Sequence, residues 1–413
     1  MRFASRLSLS FLTFLVSSPG VASGESFTLE QVRAIAVRTH PSGLEADALR
    51  RLGRAEVSAA RTWADPEAEL SFGEGRPRDV DAPTRSEFGW SVTQQIPFPL
   101  AYARRIKAAQ YASLGLEAEG ARRRLELLFA VEVAFFDLAS STERLKLVEE
   151  GAQDAEKIFR LSSRRAELGE ARESERIRAE IELLRQRRAL DGVRRDVEAL
   201  RSILRRLAGP DLPADFEIQP EWPSRALSHE DLRRRLSESN PELAAARAEA
   251  ARAEQSRSAA KWGVFPDLSA GVFEEKEIDR RARGFSLGIS IPLWNANRPS
   301  IARARAEESL AKASLRILEI ELQNQLDRTL QTFQLAAEQS ETFSGRLLPA
   351  ARESLRLASL AYAEGETSFL ELLDAQRTFR EAVAEWIGLK REAAASYAEL
   401  RRLTGAILDE QKD

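Results

Sequence analysis

The chain has 413 residues, 31% of them charged, a formal net charge of −3 and only 7% aromatic residues, so it carries no basic excess with which to hold nucleic acid. It has no cysteine, which excludes disulfides, thiol chemistry and a cysteine-borne N-terminal lipid, and its two histidines are about 190 residues apart, too distant in sequence for a local zinc motif. No nucleophile elbow, phosphate loop or dinucleotide fingerprint is present, so the sequence points to no enzyme and to no cofactor.

The first 23 residues read as a secretory signal peptide. Arg2 and Arg6 precede the apolar stretch Leu7 to Val16, and Val21-Ala22-Ser23 supplies small residues for cleavage. Next comes a short helix, Leu29 to Thr39, interrupted at His40-Pro41, because the residue before a proline avoids the helical region. A second helix follows over Ser42 to Arg61. After Pro66 the period changes to two: Ala68, Leu70 and Phe72, then Phe88, Trp90 and Val92, form the apolar faces of two strands joined by a charged loop, a hairpin over 66–97. Ile96-Pro97-Phe98-Pro99 ends it. No proline interrupts Leu100 to about Leu168, a stretch that as one helix is on the order of 100 Å long. Gly169 closes that helix, and Ser174 to Leu207 returns, so 100–207 is a long helical hairpin. The segment 210–227 has four prolines and no period and reads as a linker.

The same grammar is then repeated. A helix over Glu230 to Glu238 stops at Asn240-Pro241, and Glu242 to Lys261 follows. In the hairpin over 266–292, Leu268, Ala270 and Val272 alternate with Ser269 and Gly271, and Phe285, Leu287, Ile289 and Ile291 alternate with Gly284, Ser286, Gly288 and Ser290. A second helical hairpin, 300–403, turns at Gly365 and contains one proline before the turn, Pro349. Leu204-Arg205-Arg206-Leu207-Ala208-Gly209 recurs as Leu400-Arg401-Arg402-Leu403-Thr404-Gly405, about 196 residues later. The chain therefore divides into two copies of one unit, 24–209 and 228–405, followed by a short polar tail, 406–413.

Strands with one greasy face and one small polar face suit a membrane barrel, but four strands cannot close one, and open edges in lipid leave backbone groups unpaired. Three chains would supply about twelve strands, with Trp63, Trp90, Trp262 and Trp294 near the strand ends as an interfacial girdle. Glu371 and Asp374, three apart, share a helix face.

The duplicated hairpins and the segment Tyr362-Ala363-Glu364-Gly365-Glu366-Thr367-Ser368-Phe369-Leu370-Glu371-Leu372-Leu373-Asp374-Ala375-Gln376-Arg377 resemble the TolC family of outer-membrane efflux channels. The Ile291-Pro292-Leu293-Trp294 turn and the length are similar to its heavy-metal-efflux branch, the CzcC-like proteins. The resemblance implies a mainly α protein with a membrane β-barrel: a homotrimer of twelve strands and twelve helices in outer-membrane lipid, its long helical domain in the periplasm. It implies docking of a periplasmic adaptor at the tips, Gly169 and Gly365, and an inner-membrane transporter of the resistance-nodulation-division type. It also implies a periplasmic gate of Glu371, Asp374, Tyr362 and Glu175, although Thr367 stands where the family carries a basic residue. Phe285, Leu287, Ile289, Ile291, Phe88 and Trp90 are the expected lipid-facing residues. The residues leave two other readings open: an outer-membrane channel for type I protein secretion, and a soluble periplasmic helical scaffold or adaptor.

Overall fold

The computed structural model describes residues 25–75, 84–223, 228–277, 280–290 and 297–406. The expected signal peptide, Ile291 and most of the polar tail lie outside them. A short strand, β1 (Glu25–Phe27), leads into α1 (Leu29–Thr39), whose start is fixed by a reciprocal cap: Gln31 N–H donates to Thr28 Oγ1, and Thr28 N–H donates to Gln31 Oε1 at 2.9 Å. Then follow α2 (Ser42–Arg61), β2 (Glu67–Gly75), β3 (Arg85–Ile96), α3 (Pro99–Glu167) and α4 (Glu173–Ala208).

The expected linker is more than a linker. It holds β4 (Phe216–Ile218), which pairs in parallel with β1, and Leu212 and Phe216 are buried in the core beside Val32, Val131, Phe135 and Leu204. A three-residue strand is too short to display a period, which is why the sequence does not reveal it. The second unit repeats the order as α5 (His229–Ser239), α6 (Pro241–Trp262), β5 (Leu268–Lys276), β6 (Arg281–Ile289), α7 (Arg298–Thr342), α8 (Leu348–Glu364) and α9 (Phe369–Thr404). The uninterrupted helix expected before Gly365 is broken by a π-turn, Phe343–Leu347, between α7 and α8. Pro349 explains it: proline lacks an N–H and crowds the carbonyl four residues back, here Gly345, so the ladder widens by one residue.

At 69 residues, α3 runs on the order of 100 Å and is the spine of the chain. Near the sheet α2 packs against it so tightly that a Cβ on Gly120 would lie 3.3 Å from Ala46. Midway α1 crosses it at Glu132, and α4 lines its far half, where Arg194 bonds Glu149 at 3.1 Å. The second unit docks on the same spine through α6 and α9, for example by Arg391 to Asp137 at 2.6 Å.

The repeated Leu-Arg-Arg-Leu-x-Gly motif acquires a physical role here. Gly209 and Gly405 both have positive φ, and a Cβ on either would collide with the end of the preceding short helix, at Thr39 and at Ser239 respectively. Thr39 Oγ1 donates to the Ala208 carbonyl at 2.7 Å, and Asn240 Nδ2 donates to the Leu403 carbonyl at 2.9 Å. Each unit thus ties the end of its helical hairpin to its own short helix by equivalent contacts.

The four long strands form one antiparallel sheet of order β2-β3-β5-β6. Register places Leu70 opposite Trp90, Phe72 opposite Phe88 and Val272 opposite Phe285, so the apolar residues of both hairpins share a face. That face is bare: Phe285 is 88% exposed and Leu287 87%. The other face carries Gly89, Ser91, Gly271, Ser286 and Gly288, which are small enough for close ladder contacts. Among the described residues the outer edges of β2 and β6 have no further partner strand.

Candidate gate at the helical tips

Two tight turns sit at the ends of the helical hairpins. After α3, Glu170 N–H donates to the Arg165 carbonyl at 2.8 Å and Gly169 N–H to that of Ala166 at 3.0 Å. After α8, Glu366 N–H donates to Ala361 at 2.8 Å and Gly365 N–H to Tyr362 at 3.2 Å. Both are Schellman closures with the glycine left-handed, at φ 76° and 78°. Neither glycine would give a Cβ any neighbour within 4 Å, so only the backbone conformation demands glycine there. Gly365→Ala is therefore expected to loosen the turn by about 1–2 kcal/mol, seen as faster hydrogen exchange of the Gly365 and Glu366 amides with the sheet amides unchanged.

These turns bring together residues far apart in sequence. Tyr362, on the last turn of α8, is buried in a small tip cluster with Ala179, Phe369 and Leu372. Its hydroxyl donates to Glu175 Oε1 on the first turn of α4, at 2.5 Å, and lies 3.4 Å from Ser162 Oγ of α3. The Arg165 guanidinium sits over the ring, 5.5 Å from its centre. Burial, and next the bond to Glu175, push the Tyr362 hydroxyl above its ordinary pKa, which keeps it a neutral donor. A second contact lies two turns along α4, where Arg380 of α9 bonds Glu182 at 3.1 Å. Glu175 and Glu182 are seven residues apart and so recur on one helix face, each held by the other hairpin.

Glu371 and Asp374 do share a face, and both line an open groove with Glu182, Arg185, Leu370 and Arg377. Neither acid stands alone. Glu371 accepts from the Thr367 hydroxyl, and Arg377 donates to Asp374 at 2.7 Å. Arg377 was legible at the three-residue spacing from Asp374. Ser162, Arg165 and the Arg380–Glu182 contact were not, since they join segments with no local relation in sequence. Among the described residues no group of three His, Cys, Asp or Glu is placed to hold a metal ion, and no helix is long and apolar enough to cross a membrane.

Residues 36–210 and 232–406 each match the outer membrane efflux protein family. The chain belongs to that family. Its two matched segments follow the two structural units, so the internal duplication belongs to the family pattern. The chain is 25% identical to the cobalt-zinc-cadmium resistance protein CzcC of Cupriavidus metallidurans over 333 residues, 78% of each protein. Its fold is that of the outer-membrane channel OprN, with a TM-score of 0.79 at 19% identity, covering 91% of this chain and 89% of that one. The CmeC outer membrane channel of Campylobacter jejuni superposes with a TM-score of 0.78 at 14% identity, over 99% and 97% of the two chains. The soluble-scaffold alternative falls with the family assignment, because it leaves the exposed Phe285 and Leu287 face without a purpose.

Proposed function

We propose that three copies of this chain close a twelve-stranded barrel and form the exit duct of a tripartite efflux system that exports heavy-metal cations. The observation that carries the proposal is the open sheet: among the described residues the outer edges of β2 and β6 have no strand beside them, while the face between them is apolar and exposed. In an antiparallel sheet of four, β6 runs opposite to β2, so β6 of one copy can continue the ladder onto β2 of the next. Repeating the step closes the sheet without edges, which the hydrocarbon layer requires. The family resemblance favours three copies. The partners are then a periplasmic adaptor that docks at the Gly169 and Gly365 turns and an inner-membrane transporter of the resistance-nodulation-division type. The duct itself needs no catalytic residue.

The cation reading rests on Glu371 and Asp374 and on likeness to a cobalt-zinc-cadmium resistance protein. Arginines temper it, since in each copy the groove is lined by three carboxylates, Glu182, Glu371 and Asp374, and by three guanidiniums, Arg185, Arg377 and Arg380. In planar bilayers the purified channel is expected to prefer cations. Glu371→Gln with Asp374→Asn leaves three guanidiniums against Glu182, so selectivity should fall and tilt toward anions, and adding Arg377→Gln should reduce that tilt. Unchanged reversal potentials in both variants would reject this gate. Recovery of the protein in the outer-membrane fraction, with cross-linking that stops at three copies, tests the assembly itself.

A further inference from the structure

The outward face of the sheet is organised in rows. Ile96, Leu268 and Ile289 form the row nearest the helices, followed by Gln94, Ala270 and Leu287, then by Ala68, Val92, Val272 and Phe285. These rows are almost wholly apolar. The next two rows change character across their width, and beyond them β2 ends on Glu74 opposite Ser86 of β3. In the fourth, Leu70 and Trp90 on β2 and β3 face Glu274 and Arg283 on β5 and β6; in the fifth, Phe72 and Phe88 face Lys276 and Arg281. One half of the rim is aromatic and aliphatic, and the other half is ionic at the same height.

The ionic half has a surplus of positive charge. Glu274 is paired with Arg281 and lies 3.4 Å from Arg283, while its own side chain is only 17% exposed. One carboxylate thus preorganises two guanidiniums, whose side chains stay 60% and 67% exposed, with Lys276 beside them. Three cations against Glu274 and, at the end of β2, Glu74 leave a net positive excess among the described residues of a face otherwise made for hydrocarbon. Basic residues are costly at the middle of a bilayer but tolerated at its surface, where they meet headgroup phosphates. Tryptophan and phenylalanine at the same level suit the boundary between acyl chains and sugar.

From this juxtaposition, and resting on the barrel reading above, we infer that the rim of Lys276, Arg281 and Arg283 beside Trp90 and Phe88 is a binding site for the phosphorylated glucosamine headgroup of lipopolysaccharide. With the helices in the periplasm, this end of the sheet lies in the outer leaflet. The guanidiniums offer paired N–H donors to the phosphate oxygens, as that group's planar fork allows. The acyl chains run down over Phe285 and Leu287, and the aromatic half carries the sugar. A cation-binding function for the same rim is excluded by its sign of charge.

The test uses the full chain in phosphatidylcholine nanodiscs with fluorescently labelled lipopolysaccharide as probe. Replacing Lys276, Arg281, Arg283 and Glu274 together by glutamine removes the excess charge without orphaning the carboxylate. Binding is expected to weaken roughly tenfold or more, since each basic residue near an anionic surface contributes a factor of about five. Lys276→Gln alone, which leaves the Glu274 ion pairs intact, should weaken it by roughly that single factor. Arg281→Lys with Arg283→Lys keeps the charge but not the planar fork, and should bind more weakly than wild type but more tightly than the fourfold glutamine variant. Equal affinity in wild type and variants overturns the site, and so does equally strong competition by phosphatidylglycerol, which would mark a general anionic surface. Conductance is measured on the same preparations. A protein that conducts but does not bind the probe refutes this inference alone, whereas one that neither inserts nor conducts refutes the channel reading with it.

Discussion

Tyr362→Phe is expected to raise the open probability of the channel in planar bilayers about tenfold or more, with single-channel conductance of the open state unchanged. The substitution keeps the ring in its cluster with Phe369, 6.0 Å away, and under the Arg165 guanidinium. It removes only the hydroxyl that joins α8 to Glu175 of α4. A hydrogen bond to a charged group contributes about 1.5–3 kcal/mol, and the loss would be repeated in every copy around the axis. Glu175→Gln, which can still accept, should open the tip less than Tyr362→Phe does. Because burial raises the Tyr362 pKa above the ordinary 10.0, the latch is whole below about pH 10 and is lost only as the pH rises through the higher folded value. Leak should therefore be flat across neutral pH as far as this residue controls it. Wild-type open probability in Tyr362→Phe would show that the contact is packing without a gating role.

Glu132→Leu is expected to be the most destabilising single change, by about 3–5 kcal/mol. Glu132 lies at the midpoint of α3, where both units meet the spine. Arg33 of α1 donates to one carboxylate oxygen, and Arg401 of α9 approaches the other at 3.4 Å. The side chains of Arg33 and Glu132 are 6% and 1% exposed, so removing the carboxylate deprives two largely dehydrated guanidiniums of the anion they share. All three side chains line one groove with Phe136, Trp222 and Tyr397, and Val32, Val131 and Phe135 are fully buried in the core beside it. The same leucine combined with Arg33→Met and Arg401→Met should recover most of the loss, since an apolar triad of similar volume replaces an ionic one. Thermal unfolding of the detergent-solubilised protein, followed by its helical circular dichroism, reads both variants. A Glu132→Leu midpoint equal to that of the wild type would refute the account.

These two sites differ in how they could have been found. Tyr362 and Glu175 belong to a motif that resembles a known family, and the structure places their side chains in contact. Glu132 looks like any other acid on a helix rich in Glu and Arg, and its partners lie about 100 and 270 residues away along the chain. Nothing local distinguishes a shared buried carboxylate from the many exposed i,i+3 and i,i+4 pairs, such as Arg356 with Glu353. Arg377 is the intermediate case: its spacing from Asp374 was visible, but its effect on the charge of the groove depends on both facing the same space.

Sequence alone determined the elements whose signals are local. Prolines 41, 66, 97 and 241 and glycines 169 and 365 punctuate the chain, and between them the period switches from helical to alternating and back. The helix Ser42–Arg61 and the strand faces through Phe88, Trp90, Phe285 and Leu287 therefore follow from steric preference and side-chain alternation. Tertiary structure alone decided what depends on distant partners. It made a strand of Phe216–Ile218 by pairing it with Glu25–Phe27, put two arginines on one buried carboxylate, and set Arg281 and Arg283 level with Phe88 and Trp90 across the sheet. Local order is written in backbone preferences a few residues long, whereas the charge and solvent exposure of a side chain are fixed by whichever remote segment comes to lie against it.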